Sequence, residues 1–201
     1  MSVNVAGRNF SDAGMVDAVH EIIVNTGVDP TMLCIEITES TVLNTSDATL
    51  ASLSRLRNLG CYLAIDDFGT GYSSLAAVRQ LPVEVIKVDR TFISGVAEDR
   101  QDAAVVAAVM SLSHALGMHV IAEGVERPEQ VRALEELGCT TAQGFLFGPS
   151  LPAVDIPDVW KVAPSTRRSL YAAESRIAET KAMPLFIDEF MFQMGIPRRG
   201  L

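Results

Sequence analysis

The run Tyr62-Leu63-Ala64-Ile65-Asp66-Asp67-Phe68-Gly69-Thr70-Gly71-Tyr72-Ser73-Ser74-Leu75 decides the fold. Its first four residues are apolar and predict a buried β-strand. Neighbouring side chains of a strand point to opposite faces, so both aspartates can serve one site only where the strand ends and turns. The glycines that follow allow a tight turn whose hydroxyls and backbone N–H groups can approach a phosphate. The run therefore predicts a functional site at the carboxyl end of a strand.

The same type of apolar run recurs five more times along the chain. Helical patterns separate most of these runs, with Ser11 and Ser46 as predicted N-caps and Pro128 as a predicted first helical residue. Alternating strands and helices predict a parallel sheet. A barrel is favoured over an open doubly wound sheet because the first strand lacks the Gly-rich dinucleotide fingerprint. The other predicted strands are Ser2–Val5, Leu33–Ile37, Val83–Val88, His119–Ala122 and Ala142–Phe147.

Polar residues interrupt or end each of these apolar runs. A single acidic residue at a strand end is usually a helix cap or an ion-pair partner, but six strands in succession are hard to explain in that way. A barrel gathers its strand ends around one rim, where such folds place their sites. Carboxylates and amides without His or Cys suit Mg²⁺, Mn²⁺ or Ca²⁺ rather than Zn²⁺. Besides the aspartate pair, the residues are Asn4, Glu36, Lys87, Glu123 and Gln143.

The aspartate pair favours a particular chemistry. If one carboxylate bridges two metal ions and the other holds the second ion, the site has the arrangement of two-metal phosphodiester hydrolysis. Asp89 and Arg90 are interpreted as a helix cap and a surface group, and Phe145 and Phe147 as core residues.

The composition argues against some classes of binding partner and indicates the cellular compartment. The 201 residues carry 16 basic and 25 acidic side chains, for a net charge of -9. This charge argues against duplex nucleic acid and anionic membranes as partners. No apolar run reaches the length of a membrane helix, and three cysteines without a CxxC pair predict a reduced, cytoplasmic protein.

The charge distribution predicts a domain boundary near Leu151. Residues 1–151 contain 9 basic and 19 acidic residues, whereas residues 152–201 contain 7 and 6. The strand and helix repeat also stops there. We therefore expect a barrel domain over 1–151 and a helical C-terminal extension over 152–201.

In these motifs the chain resembles the EAL family of cyclic di-GMP phosphodiesterases. The resemblance covers about residues 1–151, in the family's order and spacing. It implies a TIM-like barrel with one antiparallel strand, a Mg²⁺ or Mn²⁺ pair that Ca²⁺ inhibits, and dimerisation around the 67–75 loop. The matching motifs are Asn4-Val5, Glu36-Ile37-Thr38-Glu39-Ser40, Asp66 to Leu75, Ile86-Lys87-Val88-Asp89, Ala122-Glu123-Gly124-Val125-Glu126 and Gln143-Gly144-Phe145.

The resemblance also implies a role for each matching residue. Asn4, Glu36 and Asp66 would hold the first metal ion, and Asp66 with Asp67 would hold the second. Lys87 would position the nucleophilic water. The remaining members are the loop-stabilising Glu39, the loop residues Phe68, Gly69, Thr70 and Gly71, and the residues Glu123 and Gln143 that complete the metal-water and ligand shell.

The chain departs from the family at its start. The Glu-Ala-Leu signature and the Arg after it lie upstream of the Asn strand, and this sequence begins at that strand. About six of the eight barrel strands are therefore expected, with an open seam that invites pairing with another chain or filling by the tail. Two explanations stay open: a fragment of a longer gene product, or a degenerate family member.

Three functions follow from this sequence. The first is metal-dependent hydrolysis of cyclic di-GMP to linear pGpG. The second is a degenerate domain that binds the dinucleotide or a protein partner without turnover, which the absent Glu and Arg favour. The third is an enolase-like barrel that uses Lys87 as its base, which the double Asp with its Gly-Thr-Gly loop disfavours.

Overall fold

The computed structural model describes residues 1–12, 14–43, 45–71, 75–152 and 154. The predicted extension, with Trp160 and the other apolar tail residues, lies almost wholly outside this range. Contacts divide the chain into two compact units, the first comprising 1–89 and 107–120 and the second 90–106 and 121–201.

Strands and helices alternate along the chain, as the sequence predicts. The strands are β1 (Ser2–Asn4), β2 (Cys34–Thr38), β3 (Tyr62–Phe68), β4 (Val85–Val88) and β5 (His119–Ala122). The α-helices are α1 (Met15–Thr26), α2 (Glu39–Leu43), α3 (Asp47–Asn58), α4 (Leu75–Gln80), α5 (Arg90–Gly95), α6 (Arg100–Leu116) and α7 (Pro128–Glu136), and two 3₁₀ turns lie at Gly7–Ser11 and Pro30–Met32.

In the first unit, β1 to β4 pair in parallel in chain order, and β5 begins beside β4. The predicted cap at Ser46 is confirmed, because its side chain accepts the N–H of Thr49. The predicted cap at Ser11 is wrong. Ser11 ends a 3₁₀ turn, and the Asp12 side chain accepts the N–H of Gly14 before α1 begins at Met15.

Three helices end with the same device, and the sequence predicts it through a repeated Leu-Gly-apolar triplet: Leu59-Gly60-Cys61, Leu116-Gly117-Met118 and Leu137-Gly138-Cys139. Gly60, Gly117 and Gly138 have φ of 100°, 68° and 82°. In each case the next residue donates its N–H to the carbonyl five residues earlier, at 3.3, 2.8 and 2.9 Å. This is the Schellman arrangement, in which a left-handed glycine satisfies the last carbonyls and turns the chain towards the next strand.

The sequence predicts that β3 ends where the two aspartates lie. The structure instead has a β-bulge at this point, and the strand continues. Ile65 pairs with Ile86 and Phe68 with Val88, so Asp66 and Asp67 together stand opposite Lys87. Asp67 has φ of 55°, a left-handed value that Asp tolerates better than most residues. The extra residue breaks the alternation of faces. The two aspartates can thus serve one site although the strand continues to Phe68.

The second unit contains α5, the start of α6, the end of β5 and α7. Pro128 opens α7 as predicted, and the Gln130 side chain accepts the N–H groups of Glu126 and Arg127. The predicted strand Ala142–Phe147 is shorter than expected, since it is reduced to a bridge between Ala122 and Ala142. The described residues thus form five strands and one bridge.

The bridge is short because the chain turns at Gly144. A Cβ on Gly144 would lie 2.2 Å from the carbonyl oxygen of Val125, and the φ of 156° is one that few L-residues adopt. Phe145 is 67% exposed, so its prediction as a core residue is wrong. None of the helices within the described ranges has the length and apolar content that crossing a bilayer requires.

Candidate functional site

Strand register places the predicted polar residues of the first unit on one face of the sheet. Asn4 pairs with Glu36, and Glu36 pairs with Ala64, two residues before Asp66. In a parallel sheet, paired residues and residues two apart share a face. Asn4, Glu36 and Asp66 therefore lie on the same side. Asn4 is exposed, whereas Glu36 and Asp66 are buried.

A buried ion-pair triad forms the centre of this face. The Lys87 ammonium lies 2.8 Å from Glu36 Oε1 and 2.7 Å from Asp66 Oδ1. The three residues are only 5%, 3% and 8% exposed. Removing charged groups from water costs several kcal/mol for each ion unless close partners compensate. Lys87 is therefore the internal counter-charge of the two carboxylates.

A second carboxylate pair lies beside the triad. Asp67 is an exposed residue, but partial desolvation, and then the neighbouring Asp66 and Asp89, raise its pKa, and a hydrogen bond with the Asp89 side chain acts in the same direction. The interpretation of Asp89 as a mere helix cap is incomplete, because its carboxyl group contacts Asp67. This position could have been predicted from the sequence, because Asp89 lies two residues after Lys87 and residues two apart on a strand share a face.

The donor set suits a hard cation. Four carboxyl groups, one from β2, two from β3 and one directly after β4, accompany a single ammonium, and all their ligand atoms are oxygen. An excess of buried negative charge is unfavourable without further cations, and Mg²⁺, Mn²⁺ and Ca²⁺ bind through carboxylate oxygens. The acidic cluster, defined as Glu36, Asp66, Asp67 and Asp89, therefore fits the metal site that the sequence predicts.

Glu39 holds the loop after β3 through its carboxylate. Glu39 Oε2 accepts the N–H groups of Gly69 at 3.0 Å and Gly71 at 2.9 Å, and Glu39 is 4% exposed. A Cβ on Gly71 would lie 3.1 to 3.3 Å from this carboxylate, so glycine allows the close approach. The Thr70 hydroxyl donates to the carbonyl of Asp67, which ties the loop to the bulge.

Of the other loop residues, one is buried in the core and three fall outside the described ranges. Phe68 ends β3 and is 7% exposed, so it anchors the start of the loop. Residues 72–74 fall outside the described ranges.

Glu123 and Gln143 come together in the second unit. Gln143 Nε2 donates to Glu123 Oε1. The two segments that carry them run side by side, since Gln143 N donates to the Ala122 carbonyl at 2.8 Å and Val125 N donates to the Gln143 carbonyl at 3.0 Å. Backbone pairing thus fixes both side chains. Their roles in a metal and ligand shell stay predictions.

Comparison with known proteins gives a consistent result. Residues 1–150 match the model of the EAL domain. The bifunctional diguanylate cyclase/cyclic di-GMP phosphodiesterase MucR of Pseudomonas aeruginosa is 42% identical over 153 residues, which are 76% of this chain and 22% of that protein.

Two solved structures extend the comparison to the fold. The PaMucR phosphodiesterase in complex with c-di-GMP is 42% identical, with a TM-score of 0.73 over 77% of this chain and 63% of that one. A manganese/cy-diGMP complex of Klebsiella pneumoniae BlrP1 is 33% identical, with a TM-score of 0.69 over 74% of this chain and 38% of that one. The chain thus spans about a fifth of the curated MucR relative.

Proposed function

Because the chain belongs to the EAL domain family, whose structures are TIM-like barrels, we propose that it is a phosphodiesterase that hydrolyses cyclic di-GMP to linear pGpG. The observation that carries the proposal is the acidic cluster around Lys87. The cluster combines oxygen ligands with a β-bulge that places two consecutive aspartates opposite Lys87. MucR bears the name of a cyclic di-GMP phosphodiesterase, and the BlrP1 structure is a manganese complex with the dinucleotide.

Glu36, Asp66 and Asp67 would hold Mg²⁺ or Mn²⁺, with Asn4 beside Glu36 as a further oxygen ligand. Such ions lower the pKa of a bound water and neutralise charge that develops on a phosphate. Ca²⁺ would occupy the same oxygen site and inhibit. Glu123 and Gln143, which share a hydrogen bond, are proposed to complete the metal-water and ligand shell.

Lys87 would orient the attacking water through its ammonium group. Its Nζ lies 2.8 Å from Glu36 Oε1 and 2.7 Å from Asp66 Oδ1, beside the carboxylates that would hold the metal. Glu39 would act indirectly by fixing the loop of Phe68, Gly69, Thr70 and Gly71. A fixed loop reduces the reorganisation needed when a dinucleotide binds.

We further propose a homodimer through the 67–75 loop region and a cytoplasmic location. Leu75, the first residue of α4, is 62% exposed, and Leu43 of α2 is 46% exposed, so both are available to a second copy. Cys34, Cys61 and Cys139 are free thiols, which agrees with a reducing compartment. The barrel domain over 1–151 and the extension over 152–201 are likewise proposals.

The test is a hydrolysis assay with separate metal measurements. The full 201-residue chain is incubated with cyclic di-GMP and Mn²⁺ or Mg²⁺, and pGpG is quantified by chromatography. Calorimetry measures metal binding to wild type, to Asp66→Asn and to the exposed control Glu136→Gln. We expect Asp66→Asn to lose metal affinity and activity, because Asp66 is the proposed bridge, and the control to retain both.

Two results would decide against the proposal. Equal metal affinity in wild type and Asp66→Asn would show that the acidic cluster does not bind the metal ion. Binding of cyclic di-GMP without any pGpG formation, in every metal, would instead support the degenerate binding module. Absence of both binding and hydrolysis would reject both functions for this chain.

A further inference from the structure

Glu84 lies directly before β4 and contacts one residue of β3 twice. Its backbone N–H donates to the Leu63 carbonyl at 3.1 Å, and its side-chain Oε2 accepts the Leu63 N–H at 3.0 Å. Leu63 is buried, and a buried backbone N–H needs an acceptor. The Glu84 carboxylate provides this acceptor at a point where β4 has not yet begun.

Two further contacts hold Glu84 itself. Arg57 Nε of α3 lies 2.6 Å from Glu84 Oε1, and the Glu84 carbonyl accepts the N–H of His119 at 2.8 Å. The Arg57 side chain is 55% exposed, whereas that of Glu84 is 21% exposed. Exposed ion pairs contribute little to stability. The contact with Leu63 is therefore the one that distinguishes Glu84.

The apolar side chains of β3 and β4 specify the register of this strand pair only weakly. Consecutive residues of both strands are fully buried, so neither strand has a polar face here that would oppose a shift. A slip by one residue would exchange one buried apolar side chain for another. The register therefore needs a contact that recognises a particular backbone position. The buried residues are Leu63, Ala64, Ile65, Val85 and Ile86.

The contact between Glu84 and Leu63 is of this kind, because it fixes where the pairing of β3 with β4 begins. The regular pairs of the two strands follow it at once. At the other end, Asp89 N donates to the Phe68 carbonyl at 3.4 Å. Since both ends are tied, the extra residue of β3 lies between them, where the structure has the β-bulge of the two aspartates.

We propose that Glu84 is a positioning residue, which sets the register of β3 against β4 and so places Asp66 and Asp67 for metal binding. It acts through Leu63 and the β3 backbone, three residues before Asp66. The inference rests on the proposed function and deepens it, because it concerns the same metal site.

The first test is calorimetry of Mn²⁺ binding to the full 201-residue chain. Glu84→Met keeps the length of the side chain and removes both carboxylate oxygens, whereas Glu84→Gln keeps one oxygen that can accept the Leu63 N–H. We expect Glu84→Met to bind Mn²⁺ about 10-fold more weakly, as when a residue that supports metal ligands is lost. Glu84→Gln should bind close to wild type.

The second test is hydrogen exchange at the β3 amides without metal. In wild type, the Leu63 amide should exchange as slowly as those of Ala64 and Ile65, since its N–H is held by Glu84. Glu84→Met should speed exchange at Leu63, and Glu84→Gln should restore protection.

Arg57→Met is the matched control, because it removes the ion pair and leaves the contact with Leu63 in place. We expect Mn²⁺ affinity and Leu63 exchange to stay near wild type. Melting curves of all variants set a titration temperature at which each is folded. Lost stability alone then leaves the Mn²⁺ affinity unchanged, whereas misplaced ligands weaken it.

The outcomes separate the inference from the function on which it rests. If wild type and Glu84→Met bind Mn²⁺ equally well, core packing sets the register and the positioning role is wrong, while the phosphodiesterase proposal stands. An equal loss of affinity in Arg57→Met or Glu84→Gln would also overturn it, and so would fast exchange of the Leu63 amide in wild type. If wild type does not bind Mn²⁺, the proposed metal site fails and the positioning role fails with it.

Discussion

Lys87→Met should destabilise the protein strongly in metal-free buffer. The substitution keeps an unbranched side chain of similar length and removes the ammonium that contacts Glu36 and Asp66 at 2.8 and 2.7 Å. Both carboxylates would then remain buried without their counter-charge. The physical cause is thus electrostatic, with little change in packing.

The expected size follows from burial. Removing one partner of a buried ion pair typically costs about 3–5 kcal/mol, because an uncompensated charge stays inside the protein. Lys87 is 5% exposed, so solvent screening gives little relief. For a domain with a urea m-value of about 2 kcal/mol/M, the midpoint of unfolding should fall by about 2 M.

The assay is urea unfolding of wild type and Lys87→Met with EDTA, and again with Mg²⁺ or Mn²⁺. Arg79→Met, which removes an exposed cation from α4, serves as the control and should shift the midpoint little. Added metal should recover more stability in Lys87→Met than in wild type, because a bound cation replaces the lost ammonium.

A specific result would refute this reasoning. If Lys87→Met unfolds at the same urea concentration as Arg79→Met, Lys87 is not the counter-charge of the acidic cluster. A loss of stability that added metal does not reverse would show that a bound cation cannot replace the ammonium in the acidic cluster.

Two further predictions concern the neighbours of this triad. Asp67→Asn should raise the free energy of unfolding at neutral pH without metal. The pKa of Asp67 is raised above its ordinary value of 3.8, so the folded state binds the proton more tightly than the unfolded state does. The stability of the wild type therefore declines as the pH rises through that raised pKa. The advantage should vanish below about pH 4, and a pH series of urea midpoints that shows no convergence there would contradict it. Glu39→Ala should speed hydrogen exchange at the amides of the loop after β3, whereas Glu39→Gln, which keeps one acceptor oxygen, should have a smaller effect; equal exchange in both variants would mean that other contacts hold the loop.

Much of the first unit could be predicted from its residues alone. Apolar runs that end in Glu or Asp mark strand ends, and two of the three Leu-Gly-apolar triplets mark helix ends in this unit, because both patterns are local. The bulge in β3 was not predictable in this way. It depends on the register between Ile65 and Ile86 and between Phe68 and Val88, which belong to different strands.

The errors in the second unit have a similar cause. The run Ala142–Phe147 is apolar enough for a strand, but the chain turns after Gly144, where Phe147 N donates to the Gly144 carbonyl, so only the bridge between Ala122 and Ala142 forms. Phe145 then leaves the sheet face that its position predicts. Asp89 could have been found from its spacing of two from Lys87, since that spacing places both residues on one strand face.

Lys87 connects the stability of the site with its chemistry. The four carboxyl groups of the acidic cluster, from β2, β3 and the residue after β4, would repel one another in a metal-free chain, and one ammonium between Glu36 and Asp66 reduces that repulsion. The fold therefore does not depend on metal for its main counter-charge. The same ammonium must share the carboxylate oxygens with any cation that binds, so it lowers metal affinity. Removing the ammonium should lower the stability of the metal-free protein and raise its metal affinity. If Lys87→Met changed only one of these two quantities, the proposed coupling between them would be wrong.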